Sequence, residues 1–302
     1  MHWDDAPSET IDRGALRRTR WDLGAAAGSV RVGLKRVRAL PGGQTSPVHA
    51  HGAEEEIFFV LAGGGRLWQD GAVCDVGPGD CIAHVASGPP HTLVAGDEGL
   101  DVLAFGERRV AEVTPLPRSG VAWAGDTWFE QPGAGEHPFA REAALPAVDV
   151  SSVGDRPANV VALSDVAVQE TRRGRTHVFR RDLGRAAGSV TSGLKHIAIE
   201  AGASSYPHHW HSGEEEMFVI LGGAGVLLLG DDEQPVRRGS VVARPAGTGI
   251  AHSFVAGDEG LEMLAYGERQ ANEVCWYPRS GKVSVAGIIF RVEQVDYWDG
   301  EE

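Results

Sequence analysis

The sequence predicts an all-β protein of two tandem barrels, on three observations. Shifting the 302-residue chain by 160 positions lays it on itself. Short apolar runs end in Gly or Asp clusters roughly every 8 to 12 residues, the texture of strands and turns. Each half also carries the same three histidines and one glutamate.

The repeat is plain at Arg20–Lys35, RWDLGAAAGSVRVGLK, against Arg180–Lys195, where 12 of 16 positions match. HAHGAEEEIFFVLAGG from His49 answers HWHSGEEEMFVILGGA from His209, and VAGDEGL at Val94 recurs at Val255 after one inserted residue. Gly106-Glu107-Arg108 matches Gly267-Glu268-Arg269, and PRSG at Pro117 matches Pro278. These blocks define an N-terminal barrel at 1–130, an Ala-, Pro- and Gly-rich linker at 131–155, and a C-terminal barrel at 156–302. Helical periodicity is absent over any useful length, so a barrel or sandwich is expected in each half.

Composition narrows the function. Two domains fit the length, and 41 Gly with 16 Pro suits many turns. The balance of 28 Lys plus Arg against 42 Asp plus Glu gives −14, with no basic run, which argues against nucleic acid or an anionic membrane as partner. Cys74, Cys81 and Cys275 form no CxxC pair and read as reduced thiols, small core residues of an intracellular protein. The start, Met1-His2-Trp3-Asp4-Asp5, has neither the basic nor the apolar stretch of a secretory signal, and a cytoplasmic location is expected.

The chemistry lies in the duplicated polar set. Residues two apart on an extended chain face the same side, so His49 and His51 project together, as do His209 and His211. Glu56 and Glu216 each open the next apolar strand, and His91 and His252 each follow a Gly-, Pro- and Ala-rich turn. Of 12 histidines, six fall on these repeated positions. Three imidazoles with one carboxylate suit a divalent transition metal, Fe, Mn, Ni, Co or Zn, one per barrel, and leave coordination positions open.

These residues resemble the cupin superfamily, and their duplication makes the chain look like a bicupin. The resemblance implies two double-stranded β-helix, or jelly-roll, barrels. Gly43, His49, His51, Glu56 and Gly63 follow the first family motif, and Gly202, His209, His211, Glu216 and Gly223 follow it with one extra residue. The second motif is looser. Gly239, Pro245, Gly247 and His252 fit with two added residues, whereas Gly79 and His91 flank Val85 in place of proline, and Ala95 and Ala256 replace the terminal Asn. Bicupins that act on oxalate usually place an arginine three residues before HxH; Ser46 and Tyr206 stand there instead, which counts against a simple oxalate enzyme.

Strand alternation puts Phe58 and Val60, and Phe218 and Ile220, on the metal face, giving an apolar inner wall or merely a filled barrel. His84 and Arg244 occupy matching positions before the last ligand and could orient a substrate. His208 and Trp210 should face away from the metal. Lys35, Lys195, Arg118 and Arg279 read as structural or solvated. The leading expectation is a metal-dependent dioxygenase-type enzyme for a small enolic or aromatic compound, with Glu56 or Glu216 doubling as a base. The alternatives are a lyase or isomerase for a carboxylate or keto compound, which needs an inward arginine the sequence does not locate, and a non-catalytic small-molecule-binding bicupin. The PAG turn before His252 makes the second site the better formed of the two. A small molecule is the expected partner, and a homodimer is compatible with barrels that already pair within the chain.

Overall fold

A computed structural model of the chain describes residues 1–125, 127–130 and 137–301. Each half is an antiparallel barrel. In the first, strands Ser8–Arg13, Leu16–Asp22, Val32–Ala39, His91–Glu107, Glu56–Gln69 and Asp80–His84 lie side by side. In the second, Gln169–Arg173, Thr176–Asp182, Ser192–Ile199, His252–Glu268 and Glu216–Leu229 repeat that order.

The two longest strands of each half carry the barrel. Glu56–Gln69 pairs with His91–Glu107, and Glu216–Leu229 with His252–Glu268, each pairing broken twice by register shifts near Gly63 and Gly223. Irregularities of this kind bend a strand, so one segment serves both walls. Gly63 and Gly223 sit at φ +73° and +71°, where a side chain would be strained, and a Cβ there would collide with the carbonyls of Gly99 and Gly260. The closing glycine of the first motif is therefore a bend.

Alternate residues of these strands serve two cores. Phe58 and Val60 pack inside the first barrel, and Phe218 and Ile220 inside the second. Ile57, Phe59, Met217 and Val219 instead join one buried cluster that runs between the barrels, where Phe105 stacks on Tyr266 with ring centroids 5.3 Å apart.

Pseudo-twofold exchange reinforces that shared core. Ala162 pairs with Asp80 of the first barrel, while His2 bridges to Ser240 of the second. The segment Val160–Ala162, C-terminal to the expected boundary, thus extends the N-terminal sheet. Buried Glu55 accepts from the amides of Val190 at 2.7 Å and Ser192 at 3.0 Å. Its repeat, Glu215, accepts from Val30 at 3.0 Å and Arg31 at 2.6 Å. A carboxylate buried without such donors would cost several kcal/mol, roughly 3–5 if its partner were removed.

The expected linker is more ordered than its composition suggests. Residues 131–136 lie outside the described residues, but Pro138–Ala144 forms a short helix, too brief for periodicity to register. Arg118 holds it through Glu142 at 3.0 Å, and Val148 packs on Val48 and Val94. The HxH segment departs from a regular strand too. His49 makes only an isolated bridge to His91, and Trp210–His211 is a two-residue strand. A local bridge suffices to extend the chain and align its alternate side chains.

Candidate metal centres

The ligand positions are fixed by backbone first. His49 and His91 exchange backbone hydrogen bonds of 3.2 and 2.8 Å, and His209 and His252 exchange bonds of 3.2 and 2.7 Å. Glu56 and Glu216 are the first residues of their strands, so their side chains turn back toward the bridged histidines.

In the first barrel one oxygen, Oε2 of Glu56, lies 3.3 Å from Nε2 of His49, 3.3 Å from Nε2 of His51 and 3.2 Å from Nε2 of His91. All four ligand atoms lie within 4.8 Å of one another. In the second barrel Oε2 of Glu216 lies 3.3 Å from Nε2 of His211 and 3.1 Å from Nε2 of His252, with His209 in the same cluster. Those three facing atoms are buried without a hydrogen bond, as expected of donors aimed at a common point. The set therefore fits a transition ion.

Five of the six outward nitrogens have an acceptor nearby, as a metal site favours, while Nδ1 of His252 has none among the described residues. Nδ1 of His49 meets the Pro47 carbonyl at 2.9 Å, and Nδ1 of His209 meets Pro207 at 2.7 Å. Nδ1 of His51 stands 3.3 Å from Glu112, and Nδ1 of His211 is bonded to Glu273 at 3.1 Å. Glu112 and Glu273 also collect amides of the loop between HxH and the ligand glutamate, including Ala53 and Gly213, each at 2.7 Å. Sequence reasoning missed both. The repeated Glu-Val after Gly-Glu-Arg was the signal.

Charge follows geometry. Burial opposes ionisation of Glu56, but the histidines around it hold its carboxyl well below the usual range, and Glu216 is held low in the same way. Neither is a useful base, contrary to expectation. Burial would lower His51, yet Glu112 and Glu56 push it up to about 10; for His211, against the same desolvation, Glu216 raises it to about 9.

The two predicted orienting groups do something else. His84 stacks on His91 at 3.4 Å with planes 1° apart, a neutral buttress against a ligand. Arg244 turns into the loop before His252, donating to the Ile250 carbonyl at 2.6 Å. Ser87 and Gly247, at φ +59° and +71°, occupy matching loop positions, and only the second copy has glycine there.

The sites differ most in what covers them. A cavity of about 410 Å³ opens over the second ligand set. Its walls include Phe218, Phe254 and Met263, and also Arg180, Lys195 and Tyr277. Lys195, expected to be structural or solvated, thus lines the site. Lys35, its repeat, is half-buried in the first barrel, where burial lowers its pKa while the charge of Glu56 opposes that fall. Tyr206, one of the residues replacing the expected arginine, lines the cavity too and contacts Arg180. Trp210 faces away and stacks on Trp276 at 5.4 Å.

Cys275 corrects another expectation. Cys74 and Cys81 are core residues, but Cys275 comes within 4.8 Å of the ligand atoms of His209 and His211. Burial pushes its thiol up to about 11 and raises Tyr277, its hydrogen-bonding neighbour, above the ordinary tyrosine value. A four-stranded sheet built from Trp210–His211, Val274–Tyr277, Lys282–Val285 and Ile288–Arg291 brings both here. In the repeat Cys275, Tyr277 and Lys282 stand opposite Thr114, Leu116 and Val121, a contrast the sequence already contains.

A cupin-domain family profile matches residues 36–105 and again 195–266. Among solved structures, a mutant of Bacillus subtilis oxalate decarboxylase superposes with a TM-score of 0.60 at 17% identity, covering 91% of this chain and 78% of that one. The same enzyme at pH 4.6 gives 0.58 at 17%, covering 89% and 75%. A structure from work on its Mn(II) centres gives 0.58 at 17%, covering 91% and 78%. At that identity the similarity shows the fold alone. Comparison with curated proteins found no match.

Proposed function

With a cupin domain in each half the chain is a bicupin, and from that premise we propose that it is a metal-dependent enzyme of the lyase or isomerase kind, acting on a small carboxylate- or keto-bearing compound in the second barrel. The observation that carries this reading is the cavity of about 410 Å³, which places Arg180 and Lys195 in the same space as His209, His211, Glu216 and His252. Arg180 is the inward arginine that such chemistry needs. It arrives from strand Thr176–Asp182 rather than from the segment before HxH.

A bound divalent ion supplies Lewis acidity to a carboxylate or carbonyl oxygen. The protein does the rest. Arg180 and Lys195 hold the anionic end of the substrate, with the planar guanidinium suited to a carboxylate. Tyr277, kept protonated by its raised pKa, is a hydrogen-bond donor at the site. Phe218, Phe254 and Met263 exclude water and strengthen each polar contact. The first barrel, where His84 and Phe58 pack against His91, suits a structural ion.

The apolar wall favours a second reading, dioxygenase-type chemistry on an enolic or aromatic compound. One experiment separates them. Elemental analysis establishes which ion is present and how many per chain; manganese, found in the fold relative, is the first to load. Binding of small keto acids and carboxylates is then measured for the loaded protein and for Arg180→Ala, with oxygen uptake followed in parallel. Loss of a charged hydrogen bond should weaken binding by about 10- to 100-fold. Unchanged affinity, together with oxygen uptake on a catechol or enol, would select the dioxygenase reading.

A further inference from the structure

The repeat provides a comparison of one groove, filled in the first half and open in the second. In the first, the linker segment Val148-Asp149-Val150 lies in a cradle. Val148 packs on Val48, Val94 and Trp68, and its amide donates to Gln44 Oε1 at 3.4 Å. Arg66 donates to the Val150 carbonyl at 2.6 Å, and Arg118 grips the same stretch through the Pro146 carbonyl and Glu142.

Each cradle residue has a counterpart in the second half. His208 replaces Val48, Val255 replaces Val94, Leu228 replaces Trp68, Ser204 replaces Gln44, Val226 replaces Arg66, and Arg279 answers Arg118. All six line a second cavity of about 570 Å³. Both ring nitrogens of buried His208 lack partners there, and Arg279 makes no ion pair or hydrogen bond among the described residues.

The chain after strand Ile288–Arg291 begins at the rim of this groove. The amide of Val292 donates to the Gly281 carbonyl at 3.0 Å, and the neighbours of Gly281, Ser280 and Lys282, line the groove. Beyond it the tail reads Val-Glu-Gln-Val-Asp-Tyr-Trp-Asp. It is acidic where the groove holds Arg175, Arg279 and Lys282 against the single carboxylate of Glu233, and its large apolar groups are in water, Tyr297 at 85% and Trp298 at 67% exposure. Val295-Asp296-Tyr297 repeats the apolar-Asp-apolar pattern of Val148-Asp149-Val150, and in that register Glu293 falls where Pro146 meets Arg118.

We propose that the chain's own Val295-Asp296-Tyr297 docks in this groove as Val148-Asp149-Val150 docks in its counterpart, with Glu293 against Arg279. From the anchor at Val292 the three residues to Val295 reach up to roughly 10 Å. Apolar side chains leave water, and the unpaired guanidinium and imidazole gain acceptors. Tyr206 and Lys282 line both the groove and the metal cavity, so the docked tail is a strap along the wall of the active site.

The test is amide hydrogen exchange across residues 292–298 in the full chain, independent of activity. Docking should slow exchange about tenfold or more relative to a free peptide. Arg279→Glu should abolish that protection, and Glu293→Arg in the same chain should restore it. Strand Glu216–Leu229 serves as the internal control for folding. Tyr297→Ser should also abolish protection without touching the barrel. Exchange at the free-peptide rate in the unaltered chain, or protection indifferent to Arg279→Glu and Tyr297→Ser, would overturn the proposal. Protection that grows with protein concentration, together with a dimer mass, would assign the groove to a second copy's tail and refute docking within one chain.

Discussion

Five of the six candidate ligand imidazoles have an acceptor beside the distal nitrogen, His252 being the exception among the described residues, so the chemistry of the centres also depends on residues that do not belong to the ligand sets. Glu112 and Glu273 orient His51 and His211 and also gather the loop amides behind them. Glu273→Gln should reduce metal affinity of the second site by about 10- to 100-fold, read by competition with a chromophoric chelator. Glu112→Gln should act likewise on the first. The same carboxylates set the pH response. A metal-free His51 keeps its proton up to about 10 and His211 up to about 9, against 6.5 for an ordinary histidine. Metal must displace those protons, so each site should release about one proton at neutral pH, and affinity should rise by up to about tenfold per pH unit. The metal-free fold behaves oppositely. A raised histidine pKa contributes stability in full below 6.5, and that contribution is lost as pH rises through about 9 to about 10. The gap in Tm between loaded and metal-free protein should therefore widen with alkalinity; a constant gap would show that these histidines bind metal without losing a proton.

The strands explain why the ligands converge. Glu56–Gln69 can open at a ligand and cross to the opposite wall only because it bends near Gly63, and Glu216–Leu229 does so near Gly223. Gly223→Ala forces a side chain into a positive-φ position and against the Gly260 carbonyl. The backbone strain alone should cost about 1–3 kcal/mol, visible as a lower denaturant midpoint, with the collision adding to it. Ordinary stability would mean that the bend survives elsewhere in the strand. At this scale the sequence was legible where periodicity or repetition operates. The strand starts at Glu56 and Glu216 and the inward Phe58 and Phe218 followed from alternation. The helix Pro138–Ala144 did not, because so short a segment is fixed by Arg118 and the barrel beneath it rather than by its own pattern.

Across the whole molecule the halves share one core and exchange their first segments, so they should unfold together. Calorimetry should show a single transition, and Glu55→Ala, which strands the Val190 and Ser192 amides, should lower stability by about 3 kcal/mol. Two separate transitions in the unaltered chain would contradict the shared core of Phe59, Phe105, Met217 and Tyr266. The duplicated sites are nonetheless unequal. His51→Ala and His211→Ala should each remove one metal, but only the second should abolish turnover, since the cavity with Arg180 and Lys195 belongs to the second barrel.

By itself the sequence determined the duplication, the β architecture and the eight polar positions that the fold gathers into two candidate metal sites, because a 160-residue repeat marks identical polar residues in identical places and strand alternation gives their direction. Only the tertiary structure decided what surrounds them. Arg180 and Lys195 come from two neighbouring paired strands, and Cys275 and Tyr277 from one strand much later in the chain, while Glu112 and Glu273 are likewise remote in sequence from the histidines they orient. Their proximity comes from sheet register and from closure of the barrel. No local pattern encodes a contact that forms between segments tens of residues apart, so the ligands were readable from the chain and the pocket was not.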